Sequence, residues 1–275
     1  MIDAHQHVWR LGENGCIWPT ADDGVLHRDW SLDDFRIEAL PRGVRRTVLV
    51  QSQESDRDTD WLLALAEGEG LVAAVVGWAD LAAPDAPARI AALAARPKLA
   101  GLRPMVQHRP ADWYDDPAID AGLRAIADHG LVLDALIRVP HLPALGRLAN
   151  RFPELRMVID HGAKPAIGSA QGFADWYPAI ARLAEHGNVT CKLSGLLTER
   201  GEAPVEAIEP YAAAILDLFG AERVMWGSDW PVLNASSSYG IWLGLALRLV
   251  SREDQDAVFA GTASRFYNIS EEVAA

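Results

Sequence analysis

"MIDAHQHV" (residues 1–8) is an apolar run that ends on two histidines one residue apart. Near-continuous apolar character over so short a stretch is what a parallel strand covered on both faces requires. Runs of the same kind recur as "RRTVLVQS" (45–52), "LVAAVVGW" (71–78), "LAGLRPMV" (99–106), "LVLDALIR" (131–138), "LRMVIDHG" (155–162), "VTCKLSG" (189–195) and "RVMWGSDW" (223–230). Amphipathic, Ala/Leu-rich stretches separate them. "SLDDFRIEAL" opens at Ser31, a good N-cap, with Asp33 and Asp34 in the first turn. "PVEAIEPYAAAILDLFG" begins at a proline and ends at Gly220, and "TDWLLALAEGEG" and "DAGLRAIADHG" also stop at glycine. Eight strands alternating with helices predict an α/β fold, a (β/α)8 TIM-like barrel. An open doubly wound sheet is the competing architecture. No GxGxxG follows the first run, however, and "HQHVWRLGENG" is not a phosphate cradle.

A chain of 275 residues, half of them hydrophobic, suffices for one such barrel spanning residues 1–275 as a single domain. The Ala/Pro stretch "DLAAPDAPARIAALAARP" is too helix-like to be a linker. A net charge of −13 without any Lys/Arg-rich run disfavours nucleic acid and anionic membranes as partners. Cys16 and Cys191 form no CxxC pair, which disfavours a disulfide scaffold or a thiolate zinc site and fits a reducing compartment. No signal-like segment or membrane-length apolar run is evident, so a cytoplasmic protein is expected, monomeric or homodimeric.

In a barrel of this kind the functional site lies at the C-terminal ends of the strands. Polar residues gather there: His5 and His7 on strand one, Gln51, Gln53 and Glu54 after strand two, Arg103 and Gln107 on strand four, and Arg138 on strand five. Strand six delivers Asp160, His161 and Lys164, strand seven Lys192 and Ser194, and strand eight Asp229. Burying so many polar groups for structure alone is costly. His5 and His7, two apart on a strand, point the same way and suit a divalent cation. The alternative is that one bonds a carboxylate while the other packs. Asp229, just before Trp230 and Pro231, is placed to take a proton from water or to bind a metal, or else to cap the next turn.

His161 is placed to polarise a carbonyl or shuttle a proton. Arg103 inside an apolar strand suggests carboxylate recognition or an internal ion pair. Lys164, Gln51 and Trp230 are further expected substrate contacts, while Arg138 and Lys192 read equally well as structural. His129 and His186 sit at helix ends and read as structural; His108 and His141 lie in loops near the mouth. Trp9, Trp18, Trp30, Trp113 and Trp230 fall in loops after strands, where an indole stacks on a sugar ring or packs beneath a loop.

The segments "DAHQHVW", "GLRPMVQ", "VIDHGAKP", "CKLSGL" and "MWGSDWPV", in that order along nearly the whole chain, together resemble the amidohydrolase superfamily. They resemble its branch of sugar lactonases and 2-pyrone-4,6-dicarboxylate lactonases. The resemblance implies a distorted (β/α)8 barrel that opens a small lactone, L-fucono- or a related aldonolactone, with an activated water. It equates His5 and His7 with the strand-one pair, His161 with the strand-six histidine and Asp229 with the strand-eight aspartate. Strand four offers Arg103 where many two-metal members carry a bridging lysine or glutamate, and "LVLDALIR" lacks their strand-five histidine. A binuclear site is therefore not expected. The cofactor is either none or one zinc ion on His5, His7 and Asp229, with Glu54 as a further ligand.

On this reading Asp229 takes the proton from water and returns it to the leaving alkoxide. His5, His7 and His161 polarise the carbonyl or orient the water, and Arg103 and Lys164 stabilise the developing charge. With Arg103 the only well-placed arginine, a neutral sugar lactone is expected over a dicarboxylate. Two other functions stay open: a metal-dependent decarboxylase of an aromatic or semialdehyde acid, and a non-catalytic barrel that binds a sugar acid.

Overall fold

The computed structural model describes residues 1–270. Eight parallel strands, each at an apolar run named above, follow one another around a sheet: β1 (Ile2–Gln6), β2 (Arg46–Val50), β3 (Val72–Gly77), β4 (Leu99–Leu102), β5 (Val132–Ala135), β6 (Met157–Ile159), β7 (Val189–Leu193) and β8 (Val224–Trp226). The ring closes between β8 and β1, where the amide of Asp229 donates to His5 O and that of His7 to Trp230 O, both at 2.8 Å. The architecture is the expected (β/α)8 barrel.

The helices are α1 (Leu32–Ala39), α2 (Asp56–Ala66), α3 (Ala86–Ala94), α4 (Asp120–Asp128), α5 (Leu142–Arg151), α6 (Gly172–Ala184), α7 (Leu196–Glu199), α8 (Glu209–Phe219), α9 (Tyr239–Leu249) and α10 (Thr262–Phe266). Ser31 caps α1 as expected. Its hydroxyl accepts from Asp34 N while its own amide donates to the Asp34 carboxylate, a reciprocal box that satisfies two otherwise free donors. The eighth helix starts later than the sequence pattern predicts. Val205–Ile208 form a 3-10 turn, and the α-helix begins at Glu209. Pro210 explains the shift, because proline lacks an N–H and fits only the first turn of a helix.

Inside the barrel the chain is layered. Ile2, Ala4, Val48, Val50, Ala74, Val76, Val132, Val158 and Met225 form an apolar cluster, joined by Phe266, Tyr267 and Ile269 of the C-terminal segment. A second apolar cluster, with Phe35, Leu62, Ile90, Leu145, Ile180 and Ile215 among its members, lies between strands and helices. The apolar interior gives way to charged side chains at the strand ends. A register shift between Asp3 and Gln6 in β1 helps the change: Ala4 packs in the apolar cluster, while the next residue, His5, meets Lys192 and Asp160.

Candidate active site

A cavity of about 350 Å³ opens at the C-terminal mouth. Its base is made by His7, His161, Asp229 and Arg103, and its walls include Gln53, Glu54, Gln107, His108 and Lys164 beside apolar Ile17, Trp18, Met105, Leu136 and Val232. Asp229 Oδ1 lies 3.7 Å from His5 Nε2, 3.4 Å from His7 Nε2 and 3.8 Å from His161 Nε2. Three imidazoles thus converge on one carboxylate oxygen.

The backbone is shaped to achieve this. His161, Gly162, Ala163 and Lys164 have φ of 55°, 56°, 65° and 50°, a full left-handed turn, and Asp229 has φ of 58°. Each non-glycine residue held there costs about 1–2 kcal/mol, and such strain tends to gather at functional sites. Two glycines make room for the rings. A Cβ on Gly195 would sit 2.6 Å from the His161 ring, and one on Gly227 would sit 2.7 Å from His5 Cβ.

Beneath the mouth lies a fully buried layer of charge. Lys192 Nζ is 2.5 Å from Asp134 Oδ2, 3.0 Å from Asp160 Oδ1 and 3.1 Å from His5 Nδ1. Arg103 pairs with Asp160 Oδ2 at 3.2 Å and also donates to Gln51 O. Tyr267, rising from the apolar floor, donates to Asp134 Oδ2 at 2.8 Å. The outer nitrogens of the other histidines are anchored too: His7 Nδ1 donates to Val50 O at 2.8 Å, and His161 Nδ1 is 2.8 Å from Ser194 Oγ.

The charges follow from this packing. Burial holds His161 down at about 4, and burial also lowers His5, helped by Lys192, and His7. All three rings are neutral near neutral pH. For Asp229 burial opposes the charge, yet His161 and then the other imidazoles hold its carboxyl well below the usual range. Asp160 is likewise held low by Lys192, His5 and Arg103 against its burial, whereas burial pushes Asp134 up.

The structure brings together His5, His7, His161, Asp229 and Arg103, and places Lys164 in the cavity wall, 3.5 Å from Glu199. It does not bring Gln51 or Trp230 to the cavity. Gln51 is buried and spends its amide on Arg103 O at 2.8 Å, bracing β2 against β4. Trp230 is buried among Trp30 and Phe35 under the loop after β1. Both expectations of substrate contact are corrected, because each side chain points into packing rather than the mouth. Arg138 is exposed away from the cavity, and His141 turns to Arg109 O at 3.0 Å. Glu54 lines the rim but pairs with Arg109 at 3.1 Å, apart from the imidazoles.

Two features escaped the sequence reading. Asp134 is one; its only signal is a lone carboxylate within the apolar run "LVLDALIR". The other is the role of Gln53, which accepts from Ile17 N and Trp18 N and donates to Trp18 O, pinning both at the cavity rim.

The donor atoms of His5, His161 and Asp229 lie within 4.8 Å of one another, which invites a divalent ion. His5 Nε2 and His7 Nε2 are 3.1 Å apart, close to the roughly 3.4 Å edge of a tetrahedron of zinc ligands. Lys192 Nζ and Asp160 Oδ1 both reach His5 Nδ1, at 3.1 and 3.3 Å, and Arg103 Nη1 lies 3.4 Å from His5 Nε2. The spacing of His5, His161 and Asp229 fits a metal ion.

A (β/α)8 barrel with a histidine–aspartate centre at its strand ends defines the class to which this chain conforms. The chain belongs to the amidohydrolase family, whose profile matches residues 2–269. It is 45% identical over 277 residues to L-fucono-1,5-lactonase of Burkholderia ambifaria, covering 98% of this chain and 95% of that protein. It is 35% identical over 287 residues to L-fucono-1,5-lactonase of Burkholderia multivorans, covering 98% and 96%. The crystal structure of an amidohydrolase from Burkholderia multivorans with bound zinc superposes with a TM-score of 0.91 at 34% identity, covering 98% of this chain and 99% of that one. Among the described residues no helix is long and apolar enough to cross a membrane.

Proposed function

We propose that this chain hydrolyses a sugar-acid lactone, L-fucono-1,5-lactone or a closely related aldono-1,5-lactone, using water activated by Asp229. The observation that carries the reading is the Asp229 carboxylate at the cavity base, with the Nε2 atoms of His5, His7 and His161 3.4–3.8 Å from its Oδ1. The names of the two Burkholderia relatives support the substrate class.

The steps balance without a cofactor. Asp229 accepts a proton from a water whose oxygen adds to the lactone carbonyl carbon. With Ser194 Oγ donating to Nδ1, His161 presents an N–H on Nε2 to the developing oxyanion, and the Lys164 ammonium adds positive charge nearby. The tetrahedral adduct collapses by breaking the bond to the ring oxygen, and Asp229 returns its proton to that alkoxide, leaving the open hydroxy acid. Arg103 is committed to Asp160 and to Gln51 O, so it balances buried charge rather than offering a free guanidinium. That commitment favours a neutral lactone over a dicarboxylate.

Acid release from a panel of aldono-1,5- and 1,4-lactones, read with a pH indicator after chelation, tests the reading. Turnover of a 1,5-lactone by chelated protein is the expected result. Binding of sugar acids without turnover of any lactone would overturn it in favour of a non-catalytic barrel, and activity that appears only with added metal would overturn the proposed steps.

A further inference from the structure

The loop that follows β1 supplies one wall of the cavity, and a carboxamide from the next strand end ties it down. Gln53, just after β2, accepts at Oε1 from the amides of Ile17, at 3.0 Å, and Trp18, at 3.3 Å, and donates from Nε2 to Trp18 O at 2.6 Å. Amides only donate and a carbonyl only accepts, so one orientation of the carboxamide serves all three. Its own backbone is fixed in turn, because the Asp58 carboxylate accepts from the amides of Ser52 and Gln53 at 3.1 and 3.3 Å. The loop also lies close against the start of α2. A Cβ on Gly15, at φ of 80°, would fall 2.3 Å from Ser55 Oγ, so only glycine lets the chain pass there.

What this loop brings to the cavity is an indole. Of the tryptophans that follow strands, Trp9, Trp30 and Trp230 are buried and Trp113 lies outside the cavity lining, whereas Trp18 is half-buried and lines it. The Trp18 ring is held on its other sides by the protein. It packs at 5.3 Å against Trp9, and its Nε1 donates to Asp23 Oδ1 at 3.3 Å. With that N–H spent, the surface left to the cavity is apolar. A sugar ring carries an apolar face of C–H bonds within a rim of hydroxyls, and such a face packs on an aromatic surface.

We propose that the Trp18 indole is the platform on which the substrate's six-membered sugar ring rests, and that Gln53 is a positioning residue that sets the indole there. The proposal rests on the lactonase reading for the identity of the ring, but not for the contact itself, which an unreactive pyranose makes as well. Gln53 acts through Trp18, so its loss weakens binding and leaves the groups around Asp229 as they are.

Two measurements test it. The first is a double-mutant cycle on the hydrolysis of L-fucono-1,5-lactone, with Trp18→Ala and with Gln53→Met, which keeps the side chain's length and loses its hydrogen bonds to the loop. Each single change should raise KM about 10-fold with kcat little altered. In the Trp18→Ala background, Gln53→Met should add less than about 2-fold. Equal penalties in both backgrounds would show Gln53 acting apart from Trp18 and overturn the proposal, as would a fall in kcat at unchanged KM. The second measurement needs no turnover. The full chain is labelled with 5-fluorotryptophan, the Trp18 fluorine signal is assigned by its absence from Trp18→Phe, and L-fucose is titrated in. A saturable shift of the Trp18 signal is expected; it upholds the platform even where the wild type opens no lactone, in which case the lactonase reading alone falls. A Trp18 signal that stays put would overturn the proposal, and this titration decides alone should a variant of the cycle fail to fold.

Discussion

The two halves of the barrel interior obey opposite rules. The floor is apolar and filled by small and branched side chains, with Phe266 and Tyr267 packed into its cluster. Among the described residues no positive φ occurs at Ile2, Ala4, Val48, Ala74, Val132, Val158 or Met225. The mouth, a few residues further along the same strands, buries His5, His7, Arg103, Asp134, Asp160, His161, Lys192 and Asp229, and four of its non-glycine residues sit in the left-handed region. The floor is built for stability. The mouth gives stability up, holding strained backbone and dehydrated charge so that a few atoms face the cavity.

The sharpest separation is expected from one substitution at each end. Asp229→Asn keeps the size of the side chain, and asparagine tolerates the left-handed backbone at this position. Turnover should fall about 10³-fold while thermal unfolding stays close to wild type. Activity near that of the wild type would remove Asp229 from the mechanism. Met225→Ala is the reverse experiment. It empties part of the floor and should cost about 3 kcal/mol of stability in denaturant unfolding with kcat unchanged. A fall in kcat as large as the first would mean the two halves are not separable.

How much of this contrast is legible in the sequence also differs between the halves. The floor is a matter of pattern: each apolar run from "MIDAHQHV" to "RVMWGSDW" became a strand, and closure of eight followed. His5, His7, His161 and Asp229 stood out as polar groups ending apolar runs. Gln51 did so too, and Trp230 stood out as a loop indole, but which way a residue points at a strand end depends on local register and loop packing. The shift between Asp3 and Gln6 and the loop that covers Trp230 are tertiary facts with no local signature. Asp134 and Lys192 are individually unremarkable in sequence; their meaning is a buried pair 58 residues apart.

The next effect is one of pH. His161 is held at about 4 by burial, below the usual value near 6.5, so the unfolded chain binds the extra proton first. Its contribution is fully present above about pH 6.5 and is lost as pH falls toward 4, by about 2–3 kcal/mol. Unfolding free energies of the wild type and of His161→Asn, measured from pH 7 to 4, should therefore converge as the pH falls. Catalysis gives a second reading of the same group. Protonating His161 pairs it with Asp229 and withdraws the base, so the acid limb of kcat/KM should lie near pH 4. An acid limb at pH 6–7 would show a ring with ordinary basicity and contradict the neutral cluster.

The smallest effect compares one chemical change in both halves. Ala163 lies in the left-handed turn at φ of 65° and is fully buried, whereas Ala74 lies on β3 in the floor. Replacing Ala74 by glycine loses a buried methyl, about 0.8 kcal/mol, and frees the unfolded chain, roughly 0.4–1 kcal/mol. Both losses point the same way, so destabilisation of about 1–2 kcal/mol is expected. Ala163→Gly suffers the same two losses but relieves left-handed strain of about 1–2 kcal/mol, and should leave the melting temperature nearly unchanged. Equal destabilisation of the two variants would mean that the turn carrying His161 and Lys164 is not strained, and the contrast between mouth and floor would then rest on charge alone.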